Sequence, residues 1–380
     1  ASKYASTANY WKNRQGMIDA LTKFKTADSK ALNEAKFNKW ANKKENAEKY
    51  GKVIEKINAY YAATNEKSRH DNYLQIMFRG SEYAKISRTL GAQLDAYVKA
   101  DDAKKAELFP ALTAAVEDFF SMTYLPAEKD LMVDGLNLYA KKAGYKLVPS
   151  IEAAFKKDNG DLTNYVNALF NMSVLSSKER LMAFINYPSE GVLANDPLMK
   201  LSSDMIAHLN TRSDELIKLQ ADYSKSFRLL VDGMRVSGLS PIAYPDANST
   251  LRLTYGHVKG FTPVDATYMK PLTTLTGLIE KGTNEGDYYL PEIFRTLHQQ
   301  KDYGQFTTKD GKDVPVAFLY NLDTTGGNSG SPIMDENGNL VGVNFDRAYE
   351  ATINDFAWND AYSRSIGCDI RYVLWVAQKV

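Results

Sequence analysis

The chain changes its period part-way along, and that change decides most of what it can fold into. From residue 1 to about 235, glycine and proline are sparse and apolar residues recur at helical spacing. Leu108, Leu112, Val116 and Phe120 fall four apart, which puts them on one face of a helix. Ser176 followed by Glu179 has the spacing of a capping box ahead of an apolar run. Asp196-Pro197 offers an N-cap with proline at the first helical position. From Pro197 to about Met234 no further proline occurs, so this stretch is one long helix or two. No fixed-period repeat is present.

After Val236 the texture differs. Gly238, Pro241, Pro245, Gly256, Gly260 and Pro263 arrive in quick succession. Leu251, Leu253 and Tyr255 alternate with Arg252 and Thr254, the period of a half-buried strand. Residues 314–320 and 340–345 are further strand candidates. Asp310-Gly311 and Asn337-Gly338 are hairpin signals, because both central residues of such a turn favour positive φ. A short helix is expected from about Ile370. The expected fold class is α+β: an all-helical domain over residues 1–235, then an antiparallel β domain over residues 236–380.

Composition narrows the function classes. With 380 residues, 44% hydrophobic and 24% charged, the chain can bury a core in two domains or three. Lys and Arg number 47 against 46 Asp and Glu, so the net charge of +1 gives no reason to expect a nucleic-acid partner. One cysteine, Cys368, allows no intrachain disulfide, which fits a cytosolic and a periplasmic protein equally. No apolar run approaches the roughly 18 residues of a membrane span. The opening Ala-Ser-Lys-Tyr-Ala-Ser-Thr lacks both an initiator methionine and a following apolar region, so the chain is expected to begin inside a longer protein. No glycine-rich phosphate loop and no His or Cys pair at zinc spacing occur, so neither a cofactor nor a metal is expected.

The chemistry concentrates in Asp323-Thr-Thr-Gly-Gly-Asn-Ser-Gly-Ser-Pro332. A serine flanked by glycines follows one strand candidate and precedes the Asn337-Gly338 hairpin. A nucleophilic serine needs its hydroxyl exposed on a tight turn, with backbone N–H groups aimed at the developing oxyanion. Small neighbours let the substrate carbonyl approach that backbone. Ser329 is therefore the candidate nucleophile, with the N–H groups of Gly327 and Ser329 as oxyanion donors. The bland alternative is a glycine-rich turn that happens to hold serines. Ser331 is a poorer nucleophile, since Pro332 follows it. The string resembles the nucleophile loop of chymotrypsin-like peptidases.

Such a serine needs a general base, usually a histidine oriented by a carboxylate. The four histidines are His70, His208, His257 and His298. His70 and His208 have polar sequence neighbours and are expected to face solvent. His257 falls in the strand candidate region and His298 in an expected helix. None has the small-residue context of a base beside such a nucleophile. The base and its carboxylate are expected upstream of this chain, which then lacks a complete triad by itself.

Four stretches together resemble the bacterial serine dipeptidyl peptidases typified by dipeptidyl-peptidase 7 and dipeptidyl-peptidase 11. They are Ala8-Asn-Tyr-Trp-Lys-Asn13, Tyr244-Pro-Asp-Ala-Asn-Ser-Thr-Leu-Arg-Leu-Thr-Tyr-Gly256, the serine loop, and Arg364-Ser-Ile-Gly-Cys-Asp-Ile-Arg-Tyr-Val-Leu374. The resemblance implies a chymotrypsin-like double β-barrel with an inserted helical domain capping the cleft, the second barrel lying in this chain. It implies a periplasmic or surface-associated homodimer that removes dipeptides from free N-termini. It implies that Asp346 and an asparagine near the start of the helical domain bind the substrate's α-amine. Asn9 matches that asparagine, with Asn13 as competitor.

The resemblance also gives Arg347 a role. Eighteen residues after Ser329 (347 − 329), it would border the primary specificity pocket. There a guanidinium pairs bidentately with an Asp or Glu side chain. Arginine at this position resembles the Asp/Glu-preferring subgroup, and glycine the broad, hydrophobic-preferring one. The bland reading is a surface arginine paired with Asp346 or Glu350. For Asp346 the expectation is a buried carboxylate that measures two residues from ammonium to scissile bond; the bland reading is a surface aspartate at a strand end. The rival functions are the broad-specificity dipeptidyl peptidase, a glutamyl endopeptidase, and a helical binding module with a dead peptidase remnant.

Overall fold

The computed structural model describes residues 2–240 and 249–380. Pro241, Pro245 and the first five residues of the Tyr244–Gly256 stretch lie outside the described residues. The contacts divide the chain into two units, one of Asn38–Gly238 and one of Ala1–Phe37 with Leu239–Val380.

The first unit is helical. After the end of α2 (Thr26–Ala41) it runs through α3 (Ala47–Tyr50), α4 (Val53–Gly80), α5 (Leu90–Lys99), α6 (Asp102–Met122), α7 (Leu125–Lys142), α8 (Pro149–Lys157), α9 (Thr163–Met172), α10 (Lys178–Asn186), α11 (Glu190–Ala194), α12 (Pro197–Asn210) and α13 (Asp214–Val236). The α6 stripe faces the core as its spacing predicts: Leu112 and Val116 are buried, with Leu108 and Phe120 packed beside them. Each full burial of such a side chain stabilises the unit by about 1.5–3 kcal/mol. The 197–234 stretch is two helices, broken at residues 211–213, where Ser213 caps α13 through the Leu216 N–H. The cap of α10 lies one residue later than expected: Ser177 accepts from the Arg180 N–H, while Ser176 is buried and donates to the Ser173 carbonyl.

Asp196 caps α12, accepting from the Leu198 and Met199 N–H groups at 3.0 and 3.1 Å. It also ties down the preceding loop through Ser173 Oγ and the Val174 N–H, both at 2.8 Å. His70 does not face solvent. The helical period carries it onto the buried face with Leu74 and Met77, and its Nε2 lies 2.6 Å from the Tyr139 hydroxyl. Burial lowers its pKa from the ordinary histidine value. His208 is half-buried, with Nε2 3.0 Å from the Lys146 carbonyl.

The second unit carries a five-stranded antiparallel sheet in the order β1-β2-β5-β4-β3. The strands are β1 (Leu272–Thr274), β2 (Pro315–Tyr320), β3 (Pro332–Met334), β4 (Leu340–Arg347) and β5 (Ser365–Asp369). Helices α14 (Leu275–Lys281), α15 (Glu292–Gln299) and α16 (Ile370–Lys379) bury Leu275, Phe294, Leu297 and Trp375 in one cluster. The 335–339 turn joins β3 to β4, with Gly338 at φ +83°. The Asp310-Gly311 turn is also present, but it leads from a loop into β2 rather than joining two strands.

The expected strand at residues 251–255 is absent. Leu251, Leu253 and Tyr255 are exposed, and among the described residues no ladder forms along them; bridging begins at the isolated pair Val258–Tyr320. Alternation along the chain does not supply a neighbouring strand. The opening helix α1 (Ser2–Lys23) belongs to this unit and not with the helices expected to share residues 1–235. Its Ala20 is buried with Ala348, Ala351, Ile353 and Tyr362, and Phe24 stacks on Tyr362 at 3.8 Å. A Cβ at Gly16 would meet Thr352 Oγ1 at 2.7 Å and the Tyr349 ring at 2.9 Å, so this glycine permits the close approach. No described helix is long and apolar enough to cross a membrane.

Candidate active site

Ser329 is exposed on the connection between β2 and β3. Gly327 and Gly330 on either side have φ of +104° and +85°, a region that side chains with a Cβ rarely adopt. A Cβ built at either meets nothing within 4 Å, so the space over the loop is open. Among the described residues no protein acceptor takes the N–H of Gly327 or of Ser329. These two donors stand free beside an exposed hydroxyl, as an oxyanion site requires.

The loop is held from beneath. Asn328 accepts the Thr325 N–H through Oδ1 at 3.0 Å, and its carbonyl accepts the Ser331 N–H at 3.0 Å. Asn344 of β4, which is buried, donates through Nδ2 to the Asn328 carbonyl at 3.0 Å and accepts from the Tyr320 hydroxyl. The Asn344 backbone takes the Gly330 N–H at 2.8 Å and donates to the Ser331 carbonyl at 2.9 Å. Burial raises the Tyr320 pKa, so that hydroxyl stays a donor. Neither Asn328 nor Asn344 was singled out from the sequence. The available signal was an amide at the core phase of β4, two residues after Gly342.

The Ser329 hydroxyl donates to the Phe345 carbonyl at 3.4 Å, and not to an imidazole. Of the two histidines in this unit, His257 is exposed and outside any strand, and His298 Nδ1 lies 3.0 Å from the Tyr303 hydroxyl.

Phe345 is the extra residue of a β-bulge. Asn344 pairs with Gly367 and Asp346 with the adjacent Ile366. Directly opposed residues share a face. Arg347, opposite Ser365, therefore joins Asn344 on the buried face, while Asp346 turns the other way with Ile366. Unbroken alternation from Asn344 would have done the reverse. Arg347 is part of β4 rather than beyond it, and only 13% of its side chain is exposed. Its partner is neither Asp346 nor Glu350: Nη1 and Nη2 donate to the two Asp355 oxygens at 2.9 and 3.2 Å. The carboxylate of Asp346 is exposed, not buried, and accepts the Arg347 N–H at 2.8 Å.

Asn9 is exposed and Asn13 half-buried on α1. Residues 9, 13, 16 and 20 fall on one helical face. Gly16 and Ala20 seat that face on the 3-10 segment Tyr349–Asp355, which begins one residue after Arg347, past Ala348. Tyr349 reinforces the contact by donating to Asp19 Oδ2 at 2.8 Å, and that carboxylate raises the phenol's pKa.

The peptidase S46 family matches residues 1–380. The chain belongs to the peptidase S46 family. Among its relatives, a dipeptidyl-peptidase 7 of Capnocytophaga gingivalis is 41% identical over 99% of this chain and 53% of its own length. An Asp/Glu-specific dipeptidyl-peptidase of Porphyromonas gingivalis is 31% identical over 100% of this chain and 53% of its own. The crystal structure of Porphyromonas endodontalis DPP11 in complex with dipeptide Arg-Glu superposes with a TM-score of 0.83 at 28% identity, covering 100% of this chain and 54% of that one. The chain thus spans about half the length of the relatives it matches.

Proposed function

We propose that this S46 chain carries the nucleophile and the specificity residues of a serine dipeptidyl aminopeptidase. On this reading it releases N-terminal dipeptides and prefers Asp or Glu as the second residue. The observation that carries the reading is the Ser329 loop, with its exposed hydroxyl, two unpartnered N–H groups at Gly327 and Ser329, and open space above them. Attack by Ser329 Oγ on the scissile carbonyl puts negative charge where those N–H groups point. The proton goes to a base from the half of the relatives' length that this chain does not span.

Arg347 contacts the side chain before the scissile bond, which favours Asp or Glu. Asp346 binds the α-amine of a free N-terminus, with Asn9 or Asn13 of α1 as second contact. Their helical face rests on the segment that follows Arg347, which supports this pairing. The helical domain is an insertion in the peptidase domain, and the β unit forms the second barrel of a double β-barrel. Among the described residues the sheet carries no strand beyond β1 or β3, which leaves both edges for such closure and supports it. The enzyme acts in the periplasm or at the bacterial cell surface as a homodimer.

A second reading, broad specificity, draws support from the 41% identical dipeptidyl-peptidase 7 and from Arg347 already being paired with Asp355. The deciding experiment uses the full-length protein and its Ser329→Ala variant. Fluorogenic dipeptides ending in Glu, Asp, Leu or Phe are compared with an N-acetylated Glu substrate. Cleavage of the acidic pair, refusal of the acetylated one and silence of the variant are expected. Cleavage of the acetylated substrate would establish an endopeptidase; a Leu or Phe preference would establish the broad-specificity enzyme.

A further inference from the structure

We infer that Asp355 tunes how strongly Arg347 discriminates an acidic from a neutral substrate side chain, by occupying one edge of its guanidinium and offsetting its charge. The inference rests on the reading that Arg347 faces the substrate.

The geometry of the pair is specific. Asp355 engages Nη1 and Nη2, one oxygen each. A guanidinium has five N–H donors, so the Nε edge keeps donors for a second partner. Both ends of the pair are fixed. Arg347 lies in the ladder opposite Ser365. Asp355 ends a 3-10 segment whose Ala351 and Ile353 are fully buried, and Tyr349 ties that segment to Asp19. The pair is therefore preorganised rather than a chance contact of two long side chains. Asp346, the neighbouring carboxylate, is on the opposite face of β4 and does not share the guanidinium.

A substrate carboxylate that reaches the open edge meets an arginine whose charge is already matched, with a second carboxylate behind it. A neutral amide accepts through its oxygen alone, and so binds less well, but it meets no such repulsion. Asp355 therefore narrows the preference for Glu over Gln below what a lone arginine would give. It also keeps the arginine paired, and so affordable to bury, when the pocket is empty or holds an apolar side chain.

The test uses the full-length protein and two fluorogenic dipeptides that differ only in Glu or Gln at the second position. Asp355→Asn removes the charge and keeps an oxygen to accept one N–H. It should raise the Glu/Gln ratio of kcat/KM about tenfold, or about 1.4 kcal/mol, mainly through a lower KM for Glu. Asp355→Ser, which also removes the charge, carries the same expectation. A ratio that is unchanged or lower in either variant, with the wild-type melting temperature retained, overturns the inference. Arg347→Gly separates the two layers. A wild-type ratio in that variant sinks the Arg347 reading and this inference with it. A collapsed ratio there, with no rise in the Asp355 variants, sinks this inference alone.

Discussion

Asn344 makes three hydrogen bonds to the serine loop, and its replacement by leucine gives a quantitative test. The change keeps the branching at Cγ, though it adds bulk, and strands two groups at once. Tyr320 is 2% exposed and its hydroxyl loses its acceptor; the carbonyl of half-buried Asn328 loses the amide that pins it from below. Leaving a buried polar group unpaired costs about 1–3 kcal/mol. Tyr320 should incur the upper part of that range and Asn328, which solvent can reach, the lower. The sum is about 3–4 kcal/mol of folding free energy. The backbone bonds of Asn344 to Gly330 and Ser331 survive, so the loop loosens rather than detaches.

Chemical denaturation of the full-length protein would read the stability loss, and the labelling rate with a fluorophosphonate probe would read the serine. Asn344→Leu should lose the stated stability and label at least tenfold more slowly. Tyr320→Phe is the control, since it breaks the buried hydroxyl bond but leaves Asn344 holding Asn328. It should cost about 1–2 kcal/mol and label at the wild-type rate. Equal labelling losses in the two variants, or none in Asn344→Leu, would refute the positioning role.

Other expectations are as direct. Arg347→Gly should lower kcat/KM on acidic substrates by more than about a hundredfold, about 3 kcal/mol of transition-state binding, while leaving hydrophobic substrates little changed; retained Glu preference in steady-state kinetics would contradict the pocket assignment. Asp196→Ala should cost about 3 kcal/mol, the sum of a lost N-cap and of the Ser173 and Val174 groups left unpaired, as read from a urea midpoint. For His70, burial places the folded pKa below the unfolded value of about 6.5. The unfolded state then binds more protons as pH falls below that value, so stability declines from there down through the folded pKa. Thermal scans from pH 8 to pH 5 should show the decline, and His70→Gln should flatten it; an unchanged slope would assign it to other groups.

What the sequence made legible follows the range of the forces involved. Helical periodicity is local, so the α6 stripe and the Asp196 cap could be read from spacing alone. Ser329 and its glycines could be read because the turn's backbone demands are written within a few consecutive residues. Strand pairing is not local, and 251–255 has the alternation of a strand but joins no ladder among the described residues. His70 looked solvent-facing because Arg69 and Asp71 flank it, although its period with Leu74 and Met77 held the contrary information. Asp355 was out of reach, because nothing along the chain announces that a segment eight residues on (355 − 347) folds back on Arg347. The exposure of Asp346 turned on one unpaired residue in β4, which a two-residue period counts straight through.

That unpaired residue bears on how pocket assignments travel between relatives. Asp346 and Arg347 keep step with β5, whereas Ser329 keeps step with Asn344, and Phe345 is the slack between the two frames. Removing Phe345 would leave the rungs from Gly342–Asp369 to Arg347–Ser365 intact while shortening the serine-to-arginine interval from eighteen residues to seventeen. A relative without the bulge could hold the same arginine in the same place and still fail a motif search written as a fixed count from the nucleophile. Positions beyond the bulge are matched soundly between relatives by rung, with a gap allowed at Phe345, and unsoundly by distance along the chain.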